Sequence, residues 1–273
     1  MDNKDISDED LKSIIRVVEE QGLSISYFRK DFLKRRIKSR MLMTQKQTLI
    51  EYYALIKKDR NEALSLLDSS FINVSEFFRD PPLWEALSII LKGFSRNGIT
   101  RIWSAGCSCG EEPYSLALLI SETLPSYNNV RIIATDIDEN ALRLATTGVY
   151  DQKALRNVRP DLLIKYFIKE GDDKFRISEK LKALVKFSKH DITKDRFFMF
   201  CDMILCRNLM IYLSREVQRE LIKNLWSALK PQGYLVLGMS EILSEEDLKY
   251  FELYNAKLRI YRKREIKDIL HFL

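Results

Sequence analysis

The chain has 273 residues, 46% of them hydrophobic and 31% charged, with a formal net charge of +6; that is enough apolar material for a sizeable core divided between two unequal domains. No run of about 18 uncharged apolar residues occurs, so no membrane-spanning helix is expected. The acidic start "MDNKDISDEDLKSII" lacks the basic head and apolar centre of a signal peptide, which makes a cytoplasmic protein the expectation. Four cysteines, Cys107, Cys109, Cys201 and Cys206, suit a reducing compartment. Neither close pair has the two-residue gap of a zinc knuckle, and with two histidines in the chain no metal site is expected.

In chain order, residues 6–70 read as helices. Ser7 with Asp10 caps the first, and Gly22 ends it. "YFRKDFLKRRIKSRM" (Tyr27–Met41) carries seven Lys or Arg against one Asp, with Phe28, Phe32, Leu33 and Ile37 at helical spacing. Such a run is a solvated helix face, a docking surface for an acidic protein, or a nucleic-acid contact. No helix-turn-helix, zinc-finger or aromatic RNA-binding signature accompanies it. "TLIEYYALIKKD" and "RNEALSLLDSSF" continue the helical period, giving a small N-terminal helical domain over 1–70 and a linker over about 71–82.

After "RDPP" (Arg79–Pro82) the pattern changes. "ITRIWSAG", "VRIIATDID", "LVKFSKHDI", "CDMILCRN" and "GYLVLGMSE" are short apolar or β-branched runs, and helical stretches at Pro113–Leu124, Asn140–Thr147 and Ser214–Leu229 lie between several of them. Alternating strand and helix imply a parallel sheet covered on both faces, a doubly wound α/β domain over 71–273. About residues 151–188 the rhythm breaks. "KEGDDKFRISEKLKALVKF" has a turn-prone Gly171-Asp172-Asp173 between charged, alternating flanks, which suggests a small antiparallel insertion.

Open α/β sheets bind ligands at the carboxyl ends of their strands. The residues to read there are Ser104-Ala105-Gly106 and Gly110-Glu111-Glu112, then Asp136-Ile137-Asp138, His190-Asp191 and Arg207-Asn208. An acid after the second strand suits a ribose diol. "GCSCG" is not the three-glycine dinucleotide fingerprint, and no P-loop lysine follows it. Carboxylates beside the loop would repel a pyrophosphate and attract a ligand bearing an ammonium and a sulfonium. That points to S-adenosylmethionine, although Glu111 and Glu112 would also stand there simply as acids favoured at a helix start.

Five stretches occur in a fixed order: "NVSEFFRD" (Asn73–Asp80), "IWSAGCSCGEEPYSLA" (Ile102–Ala117), "IIATDIDENAL" (Ile132–Leu142), "CRNLMIYL" (Cys206–Leu213) and "GYLVLGMSE" (Gly233–Glu241). Together, and with "FLKRRIKSRM" in the helical domain, they closely resemble CheR-type chemoreceptor glutamate methyltransferases. The resemblance implies a helical N-terminal domain and a Rossmann-like class I methyltransferase domain with an inserted β-subdomain. It implies methyl transfer from S-adenosylmethionine to glutamates of chemotaxis receptors, by a monomer that neither inserts in a membrane nor binds nucleic acid. By motif, Asn73, Ser75 and Arg79 close over the cofactor, one of Glu111 and Glu112 holds its polar end near Gly106, and Asp136 takes the ribose. Asp191 and Ile192 flank the adenine, Arg207 and Asn208 line the pocket, and Arg79 and Tyr212 face the acceptor. The family's two threonines before the asparagine are Phe71-Ile72 here, Ser75 stands for a threonine, Cys109 for a Ser or Thr, and Asp191 for an asparagine. Other readings are a binding module that senses S-adenosylmethionine without turnover and a methyltransferase for a different substrate. The inserted region has Gly171 alone and is short, so receptor recognition is expected on the basic face of Arg29, Lys30, Lys34, Arg35, Arg36, Lys38 and Arg40 rather than through a tethered peptide.

Overall fold

The computed structural model describes residues 5–70, 75–94 and 98–265. The chain falls into two compact units, Met1–Ile72 with Tyr212–Gln218, and Asn73–Ile211 with Arg219–Leu273.

The smaller unit is helical: α1 (Asp8–Glu20), α2 (Lys30–Met43), α3 (Leu49–Lys58) and α4 (Arg60–Ser70). The Ser7 hydroxyl accepts the Asp10 N–H at 3.1 Å, and Gly22 takes a left-handed φ of +77° just past the end of α1, the cap and stop expected from the sequence. A reciprocal Thr48–Glu51 capping box opens α3. Leu11, Ile14, Val17 and Val18 of α1, Phe32, Leu33 and Ile37 of α2, and Tyr52, Ile56, Ala63 and Leu66 of α3 and α4 are buried. Tyr212–Gln218 joins this unit because the chain pairs there with the segment before α2. The Arg29 N–H donates to the Tyr212 carbonyl at 2.8 Å and the Ser214 N–H to that of Tyr27 at 2.9 Å.

The basic face of α2 is weaker than its residue count. Lys30 and Lys34 both donate to Asp8, and Lys38 to Asp5. Those two lysines, by hydrogen bonding first, lower the Asp8 carboxyl to about 2. Arg40 is not on the face: its guanidinium turns inward and grips Glu62, whose carboxylate also accepts the Tyr52 hydroxyl at 2.9 Å. A buried carboxylate has to be paired, and α4 draws the arginine in. Arg36 lies over the Phe32 ring at 5.0 Å, and Arg35 is exposed.

In the larger unit, α5 (Pro81–Lys92) leads into β1 (Thr100–Ala105), α6 (Glu111–Thr123), β2 (Val130–Asp136), α7 (Glu139–Thr147) and β3 (Val149–Asp151). Next come α8 (Pro160–Tyr166), β4 (Phe167–Glu170), β5 (Lys174–Ile177), α9 (Glu179–Lys182) and β6 (Val185–Lys189). The chain continues through β7 (Cys201–Cys206), α10 (Arg215–Ala228), β8 (Leu229–Leu237), β9 (Phe251–Asn255) and β10 (Ile260–Lys263). The main sheet has seven strands in the order β6-β2-β1-β7-β8-β10-β9, parallel from β6 to β8 and antiparallel for the last two. This is the doubly wound α/β fold expected, with strands such as "CDMILC" apolar almost throughout because helices cover both faces. The antiparallel pair β10 and β9 lies beyond the strand–helix alternation read from the sequence. The charged residues of "FELYNAKLRIYRK" follow no regular apolar alternation, which hides its strands.

The inserted sheet has the order β3-β5-β4, all antiparallel, with Gly171-Asp172-Asp173 as the β4–β5 turn. It runs from Val149 to Ile177. Its extent differs from the 151–188 read in the sequence, because Val185–Lys189 pairs in parallel with β2 and belongs to the main sheet.

Candidate active site

Strand β1 lies between β2 and β7, so the order reverses there: the chain steps outward to β2 and β6, then returns beside β1 with β7. Loops leaving such a switch point diverge and open a crevice at the carboxyl edge. Four loops emerge there, after β1, β2, β6 and β7.

The β1 loop, Gly106–Gly110, is stitched to β2. The Gly106 and Cys107 N–H groups donate to the Thr135 carbonyl at 2.8 and 2.9 Å. The Ser108 N–H donates to Asp136 Oδ2 at 2.8 Å, and the Asp138 N–H to Asp136 Oδ1 at 3.0 Å. Asp136 is thus fixed by backbone N–H groups on both oxygens, and as an acceptor-only group it retains capacity to accept a diol. Burial raises its carboxyl above the ordinary value despite those bonds. Gly110 has a φ of +94°, and a Cβ there would stand 2.8 Å from that of Ala145 and 2.9 Å from the Tyr150 hydroxyl, so α6 can begin there only from a glycine.

The adjacent carboxylates at the start of α6 are not equivalent. Glu112 accepts from the Ser104 hydroxyl at 2.8 Å and from Arg207 Nη1 at 3.0 Å. Glu111 is 7% exposed, takes a hydrogen bond from Ser75, and has its Oε2 enclosed with no partner among the described residues. Burial pushes its carboxyl up. A buried carboxylate lacking a cation is costly, and a ligand ammonium would relieve it.

Residues 75–80 lie against this loop. Phe77 packs edge-on to Tyr150 and Phe167, and the Phe78 N–H donates to the Ser115 hydroxyl at 2.9 Å. Glu76 pairs with Arg156, accepts from Asn157 at 3.2 Å, and is lowered chiefly by the Arg156 hydrogen bond. Phe78 and Asp80 have left-handed φ values of +50° and +60° on either side of Arg79, a conformation worth about 1–3 kcal/mol of strain in each such residue. Asn73 lies outside the described residues.

After β6, Asp191 forms a local turn rather than an open acceptor: its Oδ1 takes the Thr193 N–H and hydroxyl, and Ile192 follows half-buried. After β7, Arg207 is enclosed, its guanidinium spanning Glu112 and Asp80. Asn208 has a φ of +58°, and its N–H donates to Glu241 Oε2 at 2.8 Å. Glu241, a member of the "GYLVLGMSE" motif to which the sequence assigned no role, is 3% exposed and also accepts the N–H groups of Gly238 at 2.7 Å and Met210 at 2.7 Å. Tyr212 belongs to the helical unit, where its ring stands 5.0 Å from that of Phe32.

A family profile described as "CheR methyltransferase, SAM binding domain" matches residues 73–267. The chain belongs to the CheR methyltransferase family. Its relatives include the chemotaxis protein methyltransferase of Borreliella burgdorferi, 32% identical over 264 residues that cover 91% of this chain and 93% of the relative. That of Listeria monocytogenes is 32% identical over 233 residues, covering 83% and 87%. Chemotaxis protein methyltransferase 1 of Pseudomonas aeruginosa is 34% identical over 190 residues, covering 66% and 69%. This CheR-family protein is a methyltransferase whose methyl donor is S-adenosylmethionine. The site fits that donor: Asp136 keeps acceptor capacity for a diol, the Gly106–Gly110 loop brings backbone close, and the enclosed Glu111 oxygen has no partner among the described residues. Among the described residues, no helix is long and apolar enough to cross a membrane.

Proposed function

We propose that this CheR-family protein transfers the methyl group of S-adenosylmethionine to glutamate side chains on the cytoplasmic helices of chemotaxis receptors, forming γ-glutamyl methyl esters. The observation that carries this reading is Arg79, held in a braced left-handed turn within the same cluster as Asp136 and the Glu111–Glu112 pair. In this reading Asp136 takes the ribose hydroxyls, one of Glu111 and Glu112 holds the ammonium, and Asn73 and Ser75 close over the amino-acid end. Asp191, Ile192 and Asn208 border the adenine side.

Bound S-adenosylmethionine supplies a methyl carbon made electrophilic by its sulfonium. The acceptor needs no general base, because a glutamate with a free pKa of about 4.3 is already ionised at neutral pH. What it needs is loss of its water shell and alignment on the methyl. The Arg79 fork can hold one carboxylate oxygen and leave the other to attack. A new O–CH₃ bond forms as the S–CH₃ bond breaks, the sulfur keeping the electron pair and becoming the neutral thioether of S-adenosylhomocysteine. Exposed Arg35, with the cations of α2 that Asp8 and Asp5 leave partly uncompensated, offers a charge complement to acidic receptor helices.

The test is incubation with methyl-labelled S-adenosylmethionine and a receptor cytoplasmic fragment. Expected is label on glutamates, released as methanol by mild alkali. Alkali-stable label, or none on the fragment, overturns the reading.

A further inference from the structure

We propose that Arg207 is a positioning residue for Arg79, acting through Asp80. The proposal deepens the methyl-transfer reading and rests on it for its kinetic arm only. Arg207 follows β7 and its side chain is 2% exposed. Nη2 donates to Asp80 Oδ2 at 2.6 Å and to the Arg79 carbonyl at 3.3 Å, and Nη1 donates to Glu112 Oε2 at 3.0 Å. Glu112 is anchored in turn by the Ser104 hydroxyl at 2.8 Å, at the end of β1. One buried cation therefore links two carboxylates and a backbone carbonyl, and both of its terminal nitrogens are spent on protein. With two carboxylates around it the guanidinium charge is compensated within the protein, and its Nε is enclosed with no partner among the described residues.

What this link holds is the turn that carries Arg79. Phe78 and Asp80 are left-handed, and Phe is poorly suited to that conformation. Such a turn persists where the surroundings over-determine it. Three ties do so here: Ser115 on the Phe78 N–H, the Trp84 indole N–H donating to the Arg79 carbonyl at 2.8 Å, and Arg207 on Asp80 and that same carbonyl. Pro81 and Pro82 start α5 directly afterwards, so the turn has no slack on that side. Only a guanidinium can serve, because its planar fork presents parallel N–H groups to two carboxylates, which a lysine ammonium does not. Removal of the Asp80 arm lets the Arg79 side chain swing, and displacement of a substrate-orienting group by about 1 Å costs on the order of 100-fold in rate.

Asp80→Asn is the primary test. Asp80 is 31% exposed on its side chain, Asn accepts a left-handed φ, and Glu112 keeps Arg207 as its partner. Asp80→Asn and Arg207→Lys are compared with wild type in kcat on a receptor fragment, in S-adenosylhomocysteine affinity, and in the indole N–H resonance of Trp84, assigned with Trp84→Phe. Expected is a fall in kcat of about 10- to 100-fold for Asp80→Asn. Its product affinity should stay within about threefold, and the Trp84 resonance should move while those of Trp103 and Trp226 stay. An unmoved resonance, an unchanged kcat, or a loss of kcat that only tracks melting and product binding overturns the proposal. If the wild type methylates no glutamate, the functional reading fails by itself, and the Trp84 resonance in Asp80→Asn still decides the coupling.

Discussion

Replacement of Glu241 by Gln is the sharpest test of how the β7 loop is held. The carboxylate is 3% exposed and accepts short hydrogen bonds from Gly238, Asn208 and Met210, with a longer one from Ile211 at 3.4 Å. Gly238 is a glycine for the same reason: a Cβ there would lie 2.7 Å from Glu241 Oε2 and 2.8 Å from the Asn208 nitrogen. A glutamine keeps one oxygen and turns an NH₂ group toward N–H donors on the other side, so one or two bonds to an ionised acceptor are lost. At about 1.5–3 kcal/mol for each such bond the gross loss is roughly 2–5 kcal/mol. Part of it is returned, because burial raises the Glu241 carboxyl in spite of its donors, meaning that the buried charge itself carries a cost. A net destabilisation of about 2–4 kcal/mol, or roughly 5–10 °C in melting temperature, is expected. The assay is thermal melting of the full chain at neutral pH, with exposed Glu245→Gln as control. A shift within about 1 °C of that control would falsify the claim that one carboxylate organises residues 208–211.

Asp136→Ala should weaken S-adenosylhomocysteine binding by about 1–3 kcal/mol, as expected for polar partners left unpaired; unchanged affinity in calorimetry removes Asp136 from the ribose role. Glu76→Gln, which loosens the tie of residues 75–80 to Arg156 and Asn157, should weaken the same binding only two- to fivefold, since an exposed pair contributes about 0.2–1 kcal/mol, and a tenfold effect would show that the tie matters more than its exposure suggests. The raised Glu111 carboxyl holds its proton more tightly folded than unfolded, so it contributes stability below its ordinary value of 4.5 that is lost as pH rises through its folded value. Glu111→Gln should therefore flatten the decline of ligand-free stability across that window, and an identical pH profile in denaturant melts would refute the assignment. Arg35→Glu should slow receptor methylation and weaken its salt dependence while product affinity stays constant; Arg35 serves better than Arg36, whose guanidinium packs on Phe32.

The parts of this fold that were legible in the sequence are those where local chemistry and burial agree. β1, β2, β7 and β8 announce themselves because strands covered on both faces are apolar over most of their length, and the cap at Ser7 and the stop at Gly22 are set by backbone groups only those residue types can satisfy. β9 and β10 have no such signature, since charged residues interrupt "FELYNAKLRIYRK" without a regular apolar alternation, and the inserted sheet's extent was obscured because β6 follows it within a few residues. The motifs named candidate site positions, whereas the partners those side chains take in the fold were not legible. Nothing in "CRN" tells that Arg207 turns to Asp80 and Glu112, and nothing in "GMSE" tells that Glu241 serves the backbone of another loop, because both facts are made by contacts far apart in the chain.

The same distinction decides how charge should be read in this protein. In the sequence, Tyr27–Met41 is a block of seven cations and the β1 loop ends in a pair of anions, each suggesting a partner of opposite sign. Folding spends charge first on the chain itself. Asp8 and Asp5 take three lysines, Glu62 turns Arg40 inward, and Arg207 takes Glu112. What remains is a smaller cationic surface centred on Arg35 and, among the described residues, an enclosed carboxylate at Glu111 with one oxygen unpartnered. A ligand can gain from these residual charges, since a charge already paired has little to offer a second partner unless the first is displaced. The electrostatic part of recognition therefore follows from the unspent charges, and Arg35 and Glu111 are the two at which a change of one charge should be felt by a partner before it is felt by the fold.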